Sequence, residues 1–226
     1  MRRLGRARVA VFGMGGVGSH CAEALARSGL GALRIVDHDT ISESNCNRQL
    51  HALQSTLERR KVEVMQARLL DVAPELEVDP RHAFFAAETA EELLDGELDY
   101  VVDAIDSMGP KVELLQQCRE RKIRVLTVLG AAGRLDPTRV RVAPLAETRG
   151  CPLSAVVRKR MRRRGGLDGV LALFSTERPR ASAAGDWPRM SDDLFRGRQR
   201  VIQASMVMVP AAMGYAAASV VVRELV

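Results

Sequence analysis

Hydrophobic and polar positions along the chain fall into blocks whose spacing predicts strands and helices in turn. Residues 8–12, Arg-Val-Ala-Val-Phe, form a short β-rich run that stops at glycines. From Gly16 to Arg27 the apolar positions Val17, Cys21, Ala24 and Leu25 follow at helical spacing. Gly29 and Gly31 break that helix, and residues 33–36 read as a second strand closed by Asp37. Strand, tight turn, helix and strand thus fit within about 30 residues, the size of a βαβ unit.

The alternation continues as far as residue 130. It predicts a helix over 57–70, a strand over 76–81, a short helix over 88–94 and a strand over 100–104. A helix with Pro110 in its first turn and a buried-type strand over 124–129 complete the series. This order implies an α/β fold, a doubly wound, Rossmann-like and mostly parallel sheet covered on both faces. Beyond Gly130 the character changes. Residues 139–142 alternate as a strand, 153–164 read as a helix ending in cations, and 178–200 mix Pro, Ser, Gly, Asp and Arg without period, as a mobile loop does. The apolar tail over 206–222, only 17 residues long and interrupted by Pro210 and Gly214, predicts a buried C-terminal helix. A membrane span needs roughly 20 apolar residues, so no membrane contact is expected. The expected organisation is a nucleotide-binding core over 1–130 and a basic extension over 131–226, packed together as one domain.

Composition narrows the class. At 226 residues, 46% hydrophobic and 4% aromatic, the chain suits one domain with one sizeable core. Cysteines at 21, 46, 118 and 151 have no metal-ligand or redox spacing, which argues against a disulfide scaffold and a zinc knuckle. No charged start followed by an apolar stretch precedes the first strand, so a reducing cytoplasm is expected. The net charge of +6 is unevenly spread: residues 1–130 carry 17 Lys/Arg against 20 Asp/Glu, residues 131–226 carry 17 against 8. A large acidic partner should meet the second part.

The candidate chemistry begins at Gly13-Met14-Gly15-Gly16-Val17-Gly18, a G-x-G-x-x-G turn between strand and helix, with Asp37 placed 19 residues after Gly18. Small residues let the backbone approach phosphates, the helix N-terminus offers free N–H groups, and Asp37 can accept from ribose hydroxyls. The motif alone leaves the nucleotide open. A nicotinamide-dependent oxidoreductase lacks an obvious hydride-transfer dyad here, and no G-x-x-x-x-G-K-[ST] loop is present. A dense polar stretch follows: Asp37-His38-Asp39, then Asn45-Cys46-Asn47-Arg48-Gln49-Leu50-His51, then Lys61 and Asp103-Ala104-Ile105-Asp106-Ser107. In a doubly wound sheet these groups converge at the carboxyl ends of the strands. An Arg and a Lys facing phosphate, with a carboxylate for Mg2+, suit attack at phosphorus rather than hydride transfer.

The set Gly13-x-Gly15-Gly16-Val17-Gly18-Ser19, Asp37-x-Asp39, Asn45-x-Asn47-Arg48-Gln49, Lys61 and Asp103-x-x-Asp106 resembles the adenylating enzymes related to ubiquitin activation, which include the molybdopterin and thiamine sulfur-carrier activators. Within that family the chain is most similar to the tRNA threonylcarbamoyladenosine dehydratase branch. The segments behind this are residues 47–52, 103–107, 130–138, Pro152-Leu153 before the basic helix, and Phe174-Ser175-Thr176-Glu177.

The resemblance implies a set of roles. Asp37 would serve the ribose, Gly13, Gly15, Gly16, Gly18 and Ser19 the phosphates, Asn45, Arg48 and Lys61 the α-phosphate region, and Asp106 a Mg2+ ion, with Asp39 a further nucleotide-binding candidate. The implied reaction is ATP-dependent adenylation of the threonylcarbamoyl carboxylate on a tRNA adenosine, followed by ring closure and loss of water. Activation of a ubiquitin-like sulfur carrier is the alternative, a non-enzymatic nucleotide-binding partner a third. The carrier activators usually hold zinc with two C-x-x-C pairs, which this chain lacks, so no zinc is expected. The resemblance further implies a homodimer, and a cysteine-desulfurase and sulfur-acceptor system as a further partner. Arg158, Lys159, Arg160, Arg162, Arg163 and Arg164 are candidates for the tRNA backbone, without the aromatic side chains that read sequence. Asp39 could instead cap its loop, and His51 reads as a hydrogen-bonded structural residue rather than a base. Cys21 and Cys118 read as core. Relatives carry Gly where this chain has Glu58, and an Asp is expected where Cys151 stands.

Overall fold

The computed structural model describes residues 3–180 and 205–226. Seven strands form one sheet: β1 (Arg8–Phe12), β2 (Ala32–Val36), β3 (Glu77–Arg81), β4 (Tyr100–Asp103), β5 (Val125–Val128), β6 (Val140–Pro144) and β7 (Val170–Ser175). Their order is β3-β2-β1-β4-β5-β7-β6, parallel except for β6, which pairs antiparallel with β7. The α-helices among the described residues are α1 (Gly18–Arg27), α2 (Lys61–Val72), α3 (Ala90–Leu93), α4 (Met108–Glu120), α5 (Pro152–Arg162) and α6 (Met208–Leu225).

Why the sheet is doubly wound can be read from β1. Val9 and Val11 point into one apolar cluster with α1, α2 and α6, while Ala10 and Phe12 point into a second with α3, α4 and α5. Both faces are covered, so the strand is apolar at consecutive positions instead of alternating. The chain leaves β1 toward β2 on one side and later enters β4 on the other. This reversal of strand order opens a crevice at the carboxyl ends of β1 and β4, where doubly wound sheets bind ligands.

Two expectations need correction. The helix expected over 57–70 begins at Lys61, because Glu58 sits at φ 64° in the left-handed region and the chain cannot be helical through it. The extension also holds a strand not expected from its pattern: β7 lies between β5 and β6, so residues 131–180 build part of the same sheet. Most of the loop expected over 178–200 lies outside the described residues.

The C-terminal helix α6 packs along α1. Pro210 is in its first turn, where the missing N–H leaves no bond unmade. Gly214 lets the two helices touch: a Cβ there would stand 2.7 Å from both His20 Cβ and the Val17 carbonyl oxygen. The two residues that interrupt the apolar tail are thus its docking points. Among the described residues no helix is long and apolar enough to cross a membrane.

Candidate active site

The turn after β1 is shaped by contacts that only glycine permits. Gly13 has φ 92°, and a Cβ on it would lie 2.7 Å from the Ala104 carbonyl oxygen; one on Gly18 would collide with the Gly13 carbonyl oxygen. The Gly13 N–H donates to Val36 O (2.7 Å) and the Met14 N–H to Asp37 Oδ2 (2.6 Å), which ties the turn to β2. Gly15, Gly16 and Val17 are left with N–H groups that donate to nothing among the described residues. Together with the α1 N-terminus they form a row of donors for phosphate oxygens. Ser19, expected among the phosphate ligands, is instead committed to the turn: its N–H (3.1 Å) and hydroxyl (2.7 Å) both donate to Gly15 O, and its oxygen accepts the Leu50 N–H.

Asp37 is buried and accepts two backbone N–H groups, from Met14 and from Asp39 (2.8 Å). Carboxylate oxygens have further lone pairs, so Asp37 fixes the turn and can still accept a ribose hydroxyl. Asp39 does more than cap its loop: its Oδ2 lies 2.9 Å from Lys61 Nζ and its Oδ1 3.2 Å from His38 Nε2. Lys61, the first residue of α2, is 4% exposed, so Asp39 neutralises an ammonium held out of water.

Asn45 and Arg48 belong to the loop over 42–52. Asn45 is buried and its side-chain oxygen accepts the Ser42 N–H (3.2 Å), so it acts here as a loop brace. Arg48 reaches the glycine turn: a Cβ on Gly16 would stand 3.2 Å from Arg48 Cγ. Its Nη1 donates to Ser44 O (2.7 Å) and Asn47 Oδ1 (2.9 Å). Burial lowers the guanidinium pKa from its ordinary value, and the Asp106 carboxylate opposes this, which places Asp106 within electrostatic reach. Asp106 is exposed and accepts from the Ser107 hydroxyl at 3.2 Å. It offers hard oxygen donors that fit Mg2+.

Behind this cluster His51 is 1% exposed, and neither ring nitrogen has a partner among the described residues, contrary to the hydrogen-bonded residue expected. Burial, helped by the Lys61 ammonium, lowers its pKa to about 3, so it is neutral at physiological pH. Burial raises the thiol pKa of Cys21 to about 12 and of Cys118 further still; Cys151 also belongs to the core.

The basic run divides. Arg158 braces the α5 entry, its Nη1 donating to Thr148 O and Oγ1 and to Ser154 Oγ (3.0 Å), while Arg164 pairs with Glu113 at 2.6 Å. Lys159, Arg160, Arg162 and Arg163 are exposed and make no ion pair among the described residues.

Two networks join residues that the sequence offers only as separate motif positions, or not at all, with nothing to show that they meet. Asp103, Lys111 and Thr127 meet with no exposure at all under the 104–107 turn. Arg134 is 3% exposed and donates only to carbonyls, those of Gly130, Ala132 and Glu177, while the Glu177 carboxylate accepts the Leu135 and Asp136 N–H groups. A depression of about 550 Å3 lined by Gly96, Asp99, Lys122 and neighbours lies at the opposite, amino-terminal edge of the sheet, away from all of these groups.

The arrangement has known counterparts. The chain is 45% identical over 179 residues to the tRNA threonylcarbamoyladenosine dehydratase of Bacillus subtilis, covering 79% of this chain and 70% of that protein. The crystal structure of the Escherichia coli tRNA N6-threonylcarbamoyladenosine dehydratase in complex with ATP matches with TM-score 0.87 and 34% identity over 99% of this chain and 87% of that one. The complex of the same enzyme with AMP matches with TM-score 0.86 and 35% identity, over the same shares of the two chains. The ThiF family model matches residues 1–225, and the chain belongs to the ThiF family.

Proposed function

We propose that the protein is an ATP-dependent tRNA threonylcarbamoyladenosine dehydratase that adenylates the threonylcarbamoyl carboxylate. The observation that carries this is the crevice at the β1/β4 reversal, where the glycine turn keeps N–H groups that donate to nothing among the described residues, Arg48 packs against Gly16, and the 104–107 turn that carries the exposed Asp106 abuts Gly13. ATP lies with its ribose at Asp37 and its phosphates along the turn. A substrate carboxylate oxygen attacks the α-phosphorus, the bond to the pyrophosphate oxygen breaks, and Arg48 and Lys61 stabilise the charge gathering on the phosphate oxygens. Asp106 would hold a Mg2+ ion, whose charge would offset that of the pyrophosphate leaving group. In the second step an atom of the same modification attacks the activated carbonyl carbon. AMP leaves, a proton is released, and the net loss is one water. The complexes of the E. coli enzyme with ATP and with AMP support a nucleotide that enters as one and leaves as the other.

tRNA lies across the basic side, its phosphates met by Lys159, Arg160, Arg162 and Arg163. A tRNA substrate places the work in the cytoplasm. Two copies of the chain associate through exposed apolar side chains of the α6 region, Met206, Val207 and Met208 at its start and Tyr215 two turns further on.

Incubation of the protein with Mg-ATP and threonylcarbamoylated tRNA, followed by nucleoside mass spectrometry, tests the reading. The expected result is a product lighter by one water, with one AMP and one pyrophosphate formed per event. ATP binding without water loss overturns the substrate. Pyrophosphate exchange that appears only with a carrier protein ending in Gly-Gly would favour the sulfur-carrier alternative.

A further inference from the structure

We propose that the buried Asp103–Lys111–Thr127 cluster is the positioning group of the active site, fixing the 104–107 turn so that Ala104 seats against Gly13 and Asp106 is held two residues beyond that contact. Asp103 ends β4, Thr127 faces it in register on β5, and Lys111 reaches them from the first turn of α4. Lys111 Nζ donates to Asp103 Oδ2 at 2.7 Å, to the Val128 carbonyl at 2.9 Å and to Thr127 Oγ1 at 3.3 Å. The Thr127 hydroxyl donates to Asp103 Oδ2 at 2.6 Å, and Asp103 Oδ1 accepts the Ile105 N–H at 3.1 Å. The Lys111 N–H closes the far end of the turn on Ser107 O at 3.1 Å.

Three arguments separate this cluster from ordinary packing. A fully buried ion pair adds little stability over an apolar pair of the same volume, so its worth lies in the geometry it specifies. That geometry belongs to the site: Ala104 N donates to Phe12 O at 2.8 Å, the Ala104 carbonyl fills the space a Gly13 side chain would need, and Asp106 lies two residues further on. The chain also uses Lys only four times among 34 cations, and two of the four are the buried Lys61 and Lys111. A compact ammonium with three tetrahedral donors fits an enclosed site that a planar guanidinium would overfill.

The inference rests on the proposed role of Asp106 and the glycine turn in adenylyl transfer. Its test uses the full chain with Asp103→Leu/Lys111→Met, which removes the pair without leaving a lone charge, and with Thr127→Val. Both are compared with the parent by kcat and KM for ATP and by hydrogen exchange at the Ala104 and Ile105 amides, which are bonded to Phe12 O and Asp103 Oδ1. For the double variant, kcat should fall about 100-fold with KM for ATP changed less than about threefold, as expected for misplaced reacting groups. The two amides should lose protection while the β1 amides keep theirs. Thr127→Val, which keeps the ion pair and the fold, should show the same pattern with a fall in kcat of about threefold to tenfold. Parental kcat and parental exchange in Thr127→Val, or in a folded double variant, overturn the inference. Hydrogen exchange needs no tRNA, so the two readings fail differently. An error in the substrate appears as absent water loss in the parent protein, an error here as an unmoved turn in the variants.

Discussion

Between β1 and α1 the chain leaves the N–H groups of Gly15, Gly16 and Val17 without acceptors among the described residues, while between β4 and α4 the buried Asp103 and Lys111 are bonded from every side. The two turns touch at Gly13 and Ala104, yet they are built for different ends. Unsatisfied donors are tolerable only at an open surface, where water or a ligand takes the place of the missing acceptor. Saturated polar groups in the interior carry no ligand but hold one conformation. A phosphate site therefore needs both, a receptive turn and a rigid neighbour to define its shape.

The sharpest way to break the comparison is inside the receptive turn. Gly18→Ala puts a methyl group onto the Gly13 carbonyl and should cost about 3 kcal/mol of stability and all measurable AMP binding. Gly15→Ala meets no atom within 4 Å, so its melting temperature should stay within about 1 °C of the parent while ATP affinity falls about tenfold. Calorimetric melting and titration with AMP and ATP read both. If Gly15→Ala binds ATP as the parent does, the turn is not the phosphate site.

Next in size is Lys61→Ala. The ammonium is buried against Asp39, and its loss should lower pyrophosphate exchange about 100- to 1000-fold, the usual scale for removing a charged donor from a transition state. A folded variant with parental exchange would remove Lys61 from the chemistry.

A smaller effect separates the silent polar interior from the active turn. His51 stays neutral in the folded protein, with its pKa lowered from 6.5 to about 3. Between those values the unfolded chain binds the proton that the folded chain refuses. The stability due to neutral His51 is complete above pH 6.5 and is lost as the pH falls toward 3. Melting temperature should drop by about 5–11 °C more between pH 7 and 4.5 in the parent than in His51→Leu. Equal slopes would show that His51 does not carry the acid sensitivity.

The smallest expected change lies at Glu58. Its φ of 64° costs a non-glycine residue about 1 kcal/mol, partly offset by the greater freedom glycine has when unfolded. Glu58→Gly should raise the melting temperature by about 1–3 °C and leave nucleotide binding unchanged. A fall would mean that the Glu58 side chain makes up for its backbone strain.

Much of the site was legible because its parts are local. Gly13 to Gly18, Asp37, Arg48 and Lys61 sit in motifs whose residue types are dictated by turn geometry and charge. What escaped depends on distant partners. A Lys on a helix is ordinarily solvated, and nothing near Lys111 in sequence shows that Asp103 and Thr127 enclose it. Arg158 looked like one more cation of a basic run, but contacts with Thr148 and Ser154 make it a brace. Residues 170–175 were missed for a different reason: a short apolar run fits a strand or a buried helix segment equally well.

By itself the sequence determined the doubly wound core, the glycine turn and the split between an acidic nucleotide-binding part and a basic extension, because periodicity, turn chemistry and charge are properties of neighbouring residues. Tertiary structure alone decided that β7 enters between β5 and β6, that α6 seats on α1 through Gly214, and that the Ser19 hydroxyl braces the turn. It also decided which cations are buried and which face solvent. Burial and hydrogen-bond partners are fixed by residues far apart in the chain, and an identical side chain is a brace, a buried positioning charge or a free cation according to what folds against it.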